Sequence, residues 1–488
     1  MIRIRSTRAV FALLTSVAVL SACGEDGPAA PPPSVASGAV TVTTGRDTLT
    51  VGATASLSAA FVNTNGQPVA GRTPQWSSSD ASVATVSSTG IVTAVGFGST
   101  TIEAVLDSVK ASRRIWVTRT GTGNGWVDVA TAFSNTCAIT AQGAAFCWGT
   151  NTGGQLGDSS TTASNAPRRV ILPSTVRLVA VSVGSRMACG LAATSAVYCW
   201  GDNANRGIGS ATVLANPAAT LVDPPTPMTF KAIAVGSAHA CALNTLGRVY
   251  CWGINSQGAL GNNETANSTV PVAVAAPAGV TYTTLASVSN AVCAATPAGA
   301  VDCWGFNDSG QLGNASTVTS RVPARALVPA NVVVRSLVGG ANGFHFCAVT
   351  STDALYCWGR NAGGQFGAAK QFENSTPVAV PVPNALRVRS AGVGTTSLCI
   401  VASDNRVHCQ GAGGRGEMGN GATAEQLVFA PVQAPSGVVF DVVRSGFQTA
   451  CALSTTGALY CWGAGTSGQI GNGVSLDSAI PISIALPQ

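Results

Sequence analysis

This chain has little charge, almost no histidine and no apolar run long enough for a membrane helix. Asp, Glu, Lys and Arg make up 9% of its 488 residues, against about 25% in an ordinary soluble domain. The 26 basic and 20 acidic side chains balance at +6. Loss of Arg3, Arg5 and Arg8 with a leader would leave 23 against 20, or +3. So small an excess is no footprint for nucleic acid. The histidines are His239, His345 and His408, each next to or two residues before a cysteine, and they read as structural. There is no Ser/His/Asp set, HExxH, phosphate-binding loop or calcium loop. The expectation is therefore no enzyme, no cofactor and no metal. The apolar stretch Ala9–Leu20 is shorter than the ~20 residues that span a bilayer as a helix.

What is abundant is short and apolar: hydrophobic residues reach 46%, with 56 glycines. The first 22 residues run basic, apolar, then small, the order of a signal peptide. The sequence Leu20-Ser21-Ala22-Cys23 resembles a bacterial lipobox. That resemblance implies cleavage before Cys23 and acylation of it, and several acyl chains make a stable anchor. Gly24, rather than Asp, follows the cysteine, which favours the outer membrane or cell surface of the envelope. Residues 23–38 form a Pro/Ala/Gly tether that cannot bury a core. From 39 to 118, strand-like alternation is broken by Gly, Asn and Asp turns, as in a two-sheet sandwich. Trp76-Ser77-Ser78-Ser79-Asp80, Val83-Ala84-Thr85-Val86 and Gly90-Ile91-Val92-Thr93-Ala94 resemble the bacterial Ig-like group 2 domain. A spacer or stalk role follows from that likeness. Residues 119–125 read as a linker.

From 126 to 488 the chain repeats. Cysteines stand ten apart in seven pairs: Cys137 with Cys147, Cys189 with Cys199, Cys241 with Cys251, Cys293 with Cys303, Cys347 with Cys357, Cys399 with Cys409, and Cys451 with Cys461. The second cysteines recur every 52 residues, with one step of 54 between Cys303 and Cys357. A period near 50 residues rich in Gly and β-formers marks a radial β-array. If each pair faces across a hairpin, the turn needs a left-handed residue near its end. Gly143, Ser195, Gly247, Gly299, Asp353, Asn405 and Gly457 occupy that position, and six of these seven tolerate positive φ. A cross-strand disulfide in every unit follows, worth about 2–3 kcal/mol each in the chain-entropy model. Zinc is not expected, because structural zinc pairs have closer cysteines. Fourteen paired cysteines suit an oxidising compartment.

A Trp follows the second cysteine in six units and Gln410 in the sixth; a Gly follows in all seven. Seven residues after that Gly comes an apolar-Gly pair, from Leu156-Gly157 to Ile470-Gly471. These read as packing between blades. CALNTLGRVYCWGINSQGALGNN (residues 241–263) and its copies resemble the regulator of chromosome condensation repeat. The family forms seven-bladed β-propellers. The expected fold is thus all-β, a seven-bladed propeller behind an Ig-like sandwich.

The positions that vary lie just after each Trp-Gly and should share one face. They are Asn151, Asp202, Asn203, Asn255, Phe306, Asn307, Asp308, Arg360, Asn361, Arg415 and Glu417. They are candidate ligand contacts, although Asn there serves turn chemistry equally well. The expected function is a monomeric, lipid-anchored binding or adhesion module with an unknown protein or glycan partner. The alternative is an inhibitor of an extracellular or periplasmic enzyme, whose face should carry clustered aromatics; Phe306, Phe344 and Phe372 are candidates. Guanine nucleotide exchange, the activity of the nuclear namesake, fits less well, because export removes the chain from cytosolic GTPases. The last expectation concerns closure. If each Pro-led strand (Pro167, Pro271, Pro377, Pro481) pairs with the unit that follows it, the C-terminal strand completes the first blade.

Overall fold

Each blade is built outward from one hairpin. The computed structural model describes residues 35–42, 48–50, 52–81, 83–95, 98–118, 125–204, 207–209, 216–367, 370, 373–383 and 386–487. In all seven units the paired cysteines stand directly opposite each other. All seven expected bridges form: Cys137 to Cys147, Cys189 to Cys199, Cys241 to Cys251, Cys293 to Cys303, Cys347 to Cys357, Cys399 to Cys409 and Cys451 to Cys461. Their Cα atoms lie 4.0–4.1 Å apart. The seven turn residues have φ between 60° and 83°. Ser195, the one member without a taste for that region, adopts φ 69° like the rest.

One strand is added on each side of the hairpin. Blade 3, for example, comprises an inner strand Phe230–Val235, a second His239–Asn244, a third Val249–Gly253 and an outer Ser268–Ala273. Seven such antiparallel sheets follow one another, each made of four consecutive strands. Because the meander alternates direction, inner-to-second and third-to-outer loops emerge on one face, the far face. The hairpin turns and the crossings to the next blade emerge on the other, the near face, where each inner strand begins.

Ahead of the propeller, eight strands form two sheets: β1 (Val35–Val42), β2 (Thr48–Thr50), β3 (Thr54–Asn63), β4 (Gln75–Ser78), β5 (Ala84–Val86), β6 (Ile91–Ala94), β7 (Gly98–Leu106) and β8 (Val109–Thr118). The sheet orders are β1-β3-β6-β5 and β2-β8-β7-β4. Leu57 and Val92 from one sheet meet Ile102 and Ile115 from the other, all buried. β1 begins at Val35, so the last four residues of the expected tether already belong to the sandwich. The expected signal peptide and Cys23 lie outside the described residues.

Blades are joined by one repeated step. The indole N–H of Trp200 donates to Gln155 O at 3.1 Å, Trp304 to Ala259 O at 3.0 Å, Trp358 to Gln311 O at 2.9 Å and Trp462 to Glu417 O at 2.9 Å. Each acceptor belongs to the preceding blade. In blade 6, Gln410 Nε2 donates to Gln365 O at 2.8 Å, so the amide keeps the bond when the ring is lost. The missing volume is filled by Phe366 and Phe429, in the one interblade cluster that has no Trp.

Closure differs from the sequence expectation. The C-terminal strand Ser478–Ile484 pairs within its own blade, Ile482 opposite Cys461. Blade 1 already has its own outer strand, Ser164–Arg169, so it has no vacancy to fill. The prolines lie inside these outer strands, where an absent N–H faces away from the ladder. The ring is sealed by the step that Trp200, Trp304, Trp358 and Trp462 make, with Trp148 Nε1 donating to Gln469 O at 2.9 Å. At the joint of blades 2 and 3 the buried Trp252 Nε1 has no such bond, and its ring packs on Gly209 without one. Trp126 adds a bond from Nε1 to Ile484 O at 3.3 Å and one from its backbone N–H to Gly457 O at 2.8 Å.

Two glycines on one loop separate packing from backbone strain. Gly471 has φ +89°, and a Cβ there would lie 2.4 Å from Trp148 Nε1. Gly473 has φ +85° with nothing within 4 Å. Gly473→Ala should lower stability by about 1 kcal/mol, the left-handed penalty alone. Gly471→Ala adds overpacking and should lower it by about 3 kcal/mol. Equal losses in denaturant unfolding would refute the packing role of this step.

Candidate functional site

The loops after each Trp-Gly are held from inside. Asn151 Oδ1 accepts from the Leu156 N–H at 2.9 Å, and its Nδ2 donates to Ser160 O and Thr162 O. Asn203, Asn255, Asn307 and Asn361 accept in the same way from Ile208, Leu260, Leu312 and Phe366. All five asparagines are buried. They organise the loop and leave no polar atom for a ligand, so as contact positions these five are corrected by the structure. The physical reason is the turn chemistry that Asn shares with recognition chemistry.

The other candidates separate by exposure. Asp202 is ion-paired to Arg186 at 3.0 Å, Asp308 is exposed and Phe306 half-buried. The Arg360 guanidinium lies 5.9 Å from the Phe344 ring centre. Arg415 reaches Asp477 at 3.2 Å. All of these lie on the far face. Phe372 lies outside the described residues.

Glu417 is buried. Its place in other blades is taken by Gln155, Gln311, Gln365 and Gln469, each accepting through Oε1 from a backbone N–H two residues before it. Glu417 Oε2 likewise accepts from the Arg415 N–H at 2.7 Å, but Oε1 has no partner. Burial pushes its carboxyl above the usual carboxylate range.

Far-face residues that the sequence did not single out include Phe133 and Phe447. They sit on the inner-to-second loops of blades 1 and 7, with ring centres 4.6 Å apart. Their loop position, shared with serines in other blades, was the available signal. The 54-residue step also acquires a place. Its two extra residues lie in the corresponding loop of blade 5, residues 340–344, compared with Gly236-Ser237-Ala238 in blade 3. This loop crosses the axis: Asn342 Nδ2 donates to Ser185 Oγ of blade 2 at 2.8 Å, and Thr395 Oγ1 donates to Asn342 O at 3.3 Å. Inner strands of all seven blades line the central cavity of about 460 Å³, and the loop crosses its far-face end.

The histidines do not assemble. His239 and His345 are fully buried in blades 3 and 5, and burial lowers them to about 4 and about 3. His239 Nε2 pairs with Ser287 Oγ at 3.0 Å, and His408 Nε2 with Asp404 Oδ2 at 2.8 Å. Among the described residues no group of three or more His, Cys, Asp and Glu is placed to hold a metal.

Glu417 yields a pH test. A carboxyl raised in the folded state contributes stability that is complete below its unfolded pKa and is lost as pH rises through the folded one. Glu417→Gln should therefore leave stability near pH 4 unchanged. At pH 7 it should raise stability by on the order of 1 kcal/mol, one buried hydrogen bond. A uniform effect at both pH values in thermal unfolding would refute the assignment.

Comparison with known proteins agrees with this architecture. The RCC1-like domain matches residues 173–487, a single regulator of chromosome condensation (RCC1) repeat matches 142–191, and the bacterial Ig-like domain (group 2) matches 36–116. The ultraviolet-B receptor UVR8 of Arabidopsis thaliana is 25% identical over 322 residues, 66% of this chain and 71% of that protein. The E3 ubiquitin-protein ligase HERC2 of Homo sapiens is 25% identical over 67% of this chain, but the match spans only 7% of that protein. Yeast RCC1 (Prp20), solved bound to Kap60, superposes with a TM-score of 0.63 at 20% identity, covering 75% of this chain and 85% of that one. The chain belongs to the family of RCC1-like domain proteins, carrying a bacterial Ig-like domain ahead of the propeller.

Proposed function

We propose that this protein is a lipid-anchored, non-catalytic binding module of the bacterial cell envelope, and that the far face of its propeller is the binding face. The observation that carries the reading is where the chain enters the ring. The inner strand of blade 1 starts at Trp126 on the near face. The seven peptide steps from Thr118 to Gly125 span at most about 25 Å, which holds the sandwich on that side. Arg114 of β8 donates to Ser195 Oγ and to Phe230 O, both near-face positions. An anchor ahead of the sandwich then leaves the far face, with its varied loops, directed outward.

The relatives support a binding role rather than one shared chemistry. A receptor and a ubiquitin ligase carry similar segments, and a fold of this kind hosts unrelated functions. In the ligase the match is a small fraction of the protein. Inhibition of an extracellular or periplasmic enzyme is the second reading. The far-face rings of Phe133, Phe447 and Phe344 favour it, since aromatic clusters anchor protein interfaces. Guanine nucleotide exchange stands third.

Mass spectrometry of the native membrane fraction should find Cys23 as an acylated N-terminus. An unprocessed chain beginning at Met1 in the cytosol would sink the anchor. For the face, the soluble chain from Gly24 onward should bind whole cells or a secreted-enzyme panel. Thr466→Trp on the far face should abolish that binding, and Leu246→Arg on a near-face turn should not. The reverse pattern would reject the assignment of faces.

A further inference from the structure

The tips of the inner-to-second loops meet around the axis at the far face. They are Phe133, Ser185, Ser237, Ser289, Thr395 and Phe447, and blade 5 supplies the longer loop 340–344 in their midst. Ser185 and Ser237 share a hydroxyl hydrogen bond of 2.9 Å, and the Ser237 N–H donates to Ser289 O at 2.8 Å. The Ser289 N–H donates to Gly343 O at 3.2 Å. With the two bonds of Asn342 to blades 2 and 6, this forms a hydroxyl and amide floor across the end of the channel.

Beside that floor stands an aromatic step. Phe133 is 46% exposed and rests against Phe447. The other tips are small and polar, so the two rings project from a surface that is otherwise hydrogen-bonding. Charge is nearly absent. Of the residues immediately after each tip and each Trp-Gly or Gln-Gly pair, only Arg186, Asp202 and Arg360 are charged. The first two neutralise each other at 3.0 Å, and the third lies against Phe344.

Charge this sparse offers an anionic or cationic ligand little complementary field on the hub. A wholly apolar partner would be set against polar groups that it cannot satisfy. A sugar ring meets both halves of the surface, because it has an apolar C–H face and a rim of hydroxyls. Aromatic faces take the first, and amides and hydroxyls take the second. We infer that the far-face hub binds an uncharged saccharide chain, stacked on Phe133 and Phe447, with the polar floor and the neighbouring Gln448 amide reading its hydroxyls. The inference rests on the reading of the far face as the binding face, and it names the ligand class for that face.

The test uses the soluble chain from Gly24 onward on immobilised neutral glucan, mannan, galactan, xylan and N-acetylglucosamine polymers. At least one should retain the protein and be displaced by its own free oligosaccharide. Retention should persist at ~1 M salt, where charge attraction is screened within about 3 Å. Phe133→Ser should weaken binding about tenfold, one ring stack and its buried area. Phe133→Trp should preserve it, and Gln448→Ala, which leaves the rings in place, should also weaken it. Retention on none of the neutral polymers, or unchanged affinity in Phe133→Ser and Gln448→Ala, would overturn the inference. Thr466→Trp separates the two failures. If it blocks whole-cell binding while no sugar is retained, the face reading stands and the saccharide falls. If it leaves whole-cell binding intact, the face reading falls as well.

Discussion

The propeller depends on one contact repeated between successive blades: a Trp ring from one blade set on a glycine of the blade before it, in five of the six cases with its N–H on a backbone carbonyl there. A four-stranded sheet of this size has two apolar faces and cannot stand alone. The Trp covers one face, and the preceding blade's loop, bent at its glycine, receives it. The same residue does two tasks there. In blade 1, Gln155 holds its own loop through its side chain and accepts the Trp200 indole through its carbonyl. Loop shape and blade packing are therefore one constraint, which explains why loop residues that look variable and available prove to be buried.

Blade 6 tests how much of the contact is the ring and how much is the bond. Gln410 retains the donor and loses the area, and the loss is met from two directions by Phe366 and Phe429. Its neighbouring loop differs again, with Glu417 where glutamine is the rule. The two departures fall on opposite sides of the same blade, Gln410 at its joint with blade 5 and Glu417 at its joint with blade 7.

The repeat, the facing cysteines and the left-handed turn residues were legible because each is a local requirement repeated seven times. The pairing of Cys137 with Cys147, or of Cys399 with Cys409, needs nothing beyond one hairpin. The family and the sandwich followed from motifs of the same kind. What escaped the sequence was non-local. The prolines suggested a strand exchanged around the ring, whereas pairing Cys461 with Ile482 needs only a nearby segment of the same blade. The five asparagines carry identical chemistry whether they face a ligand or their own loop, and only burial decides between the two. The 54-residue step was visible as an irregularity, but nothing local says that Asn342 reaches Ser185 on the opposite side of the axis. Phe133 and Phe447 lie more than 300 residues apart in the chain and become neighbours only when the ring closes.

The sequential, un-nested order of the disulfides bears on how such a chain can be oxidised. Every bridge joins cysteines ten residues apart, and no bridge encloses or crosses another. In a chain that emerges amino end first into an oxidising compartment, the first cysteine of each pair from Cys137 onward meets its native partner next. Oxidation in order of emergence is then already the native pattern. Reshuffling of mismatched bridges, a process that otherwise takes seconds to hours without help, is not required of this topology. In a chain emerging in that order, each blade's hairpin can be covalently closed before the neighbour that buries it has appeared.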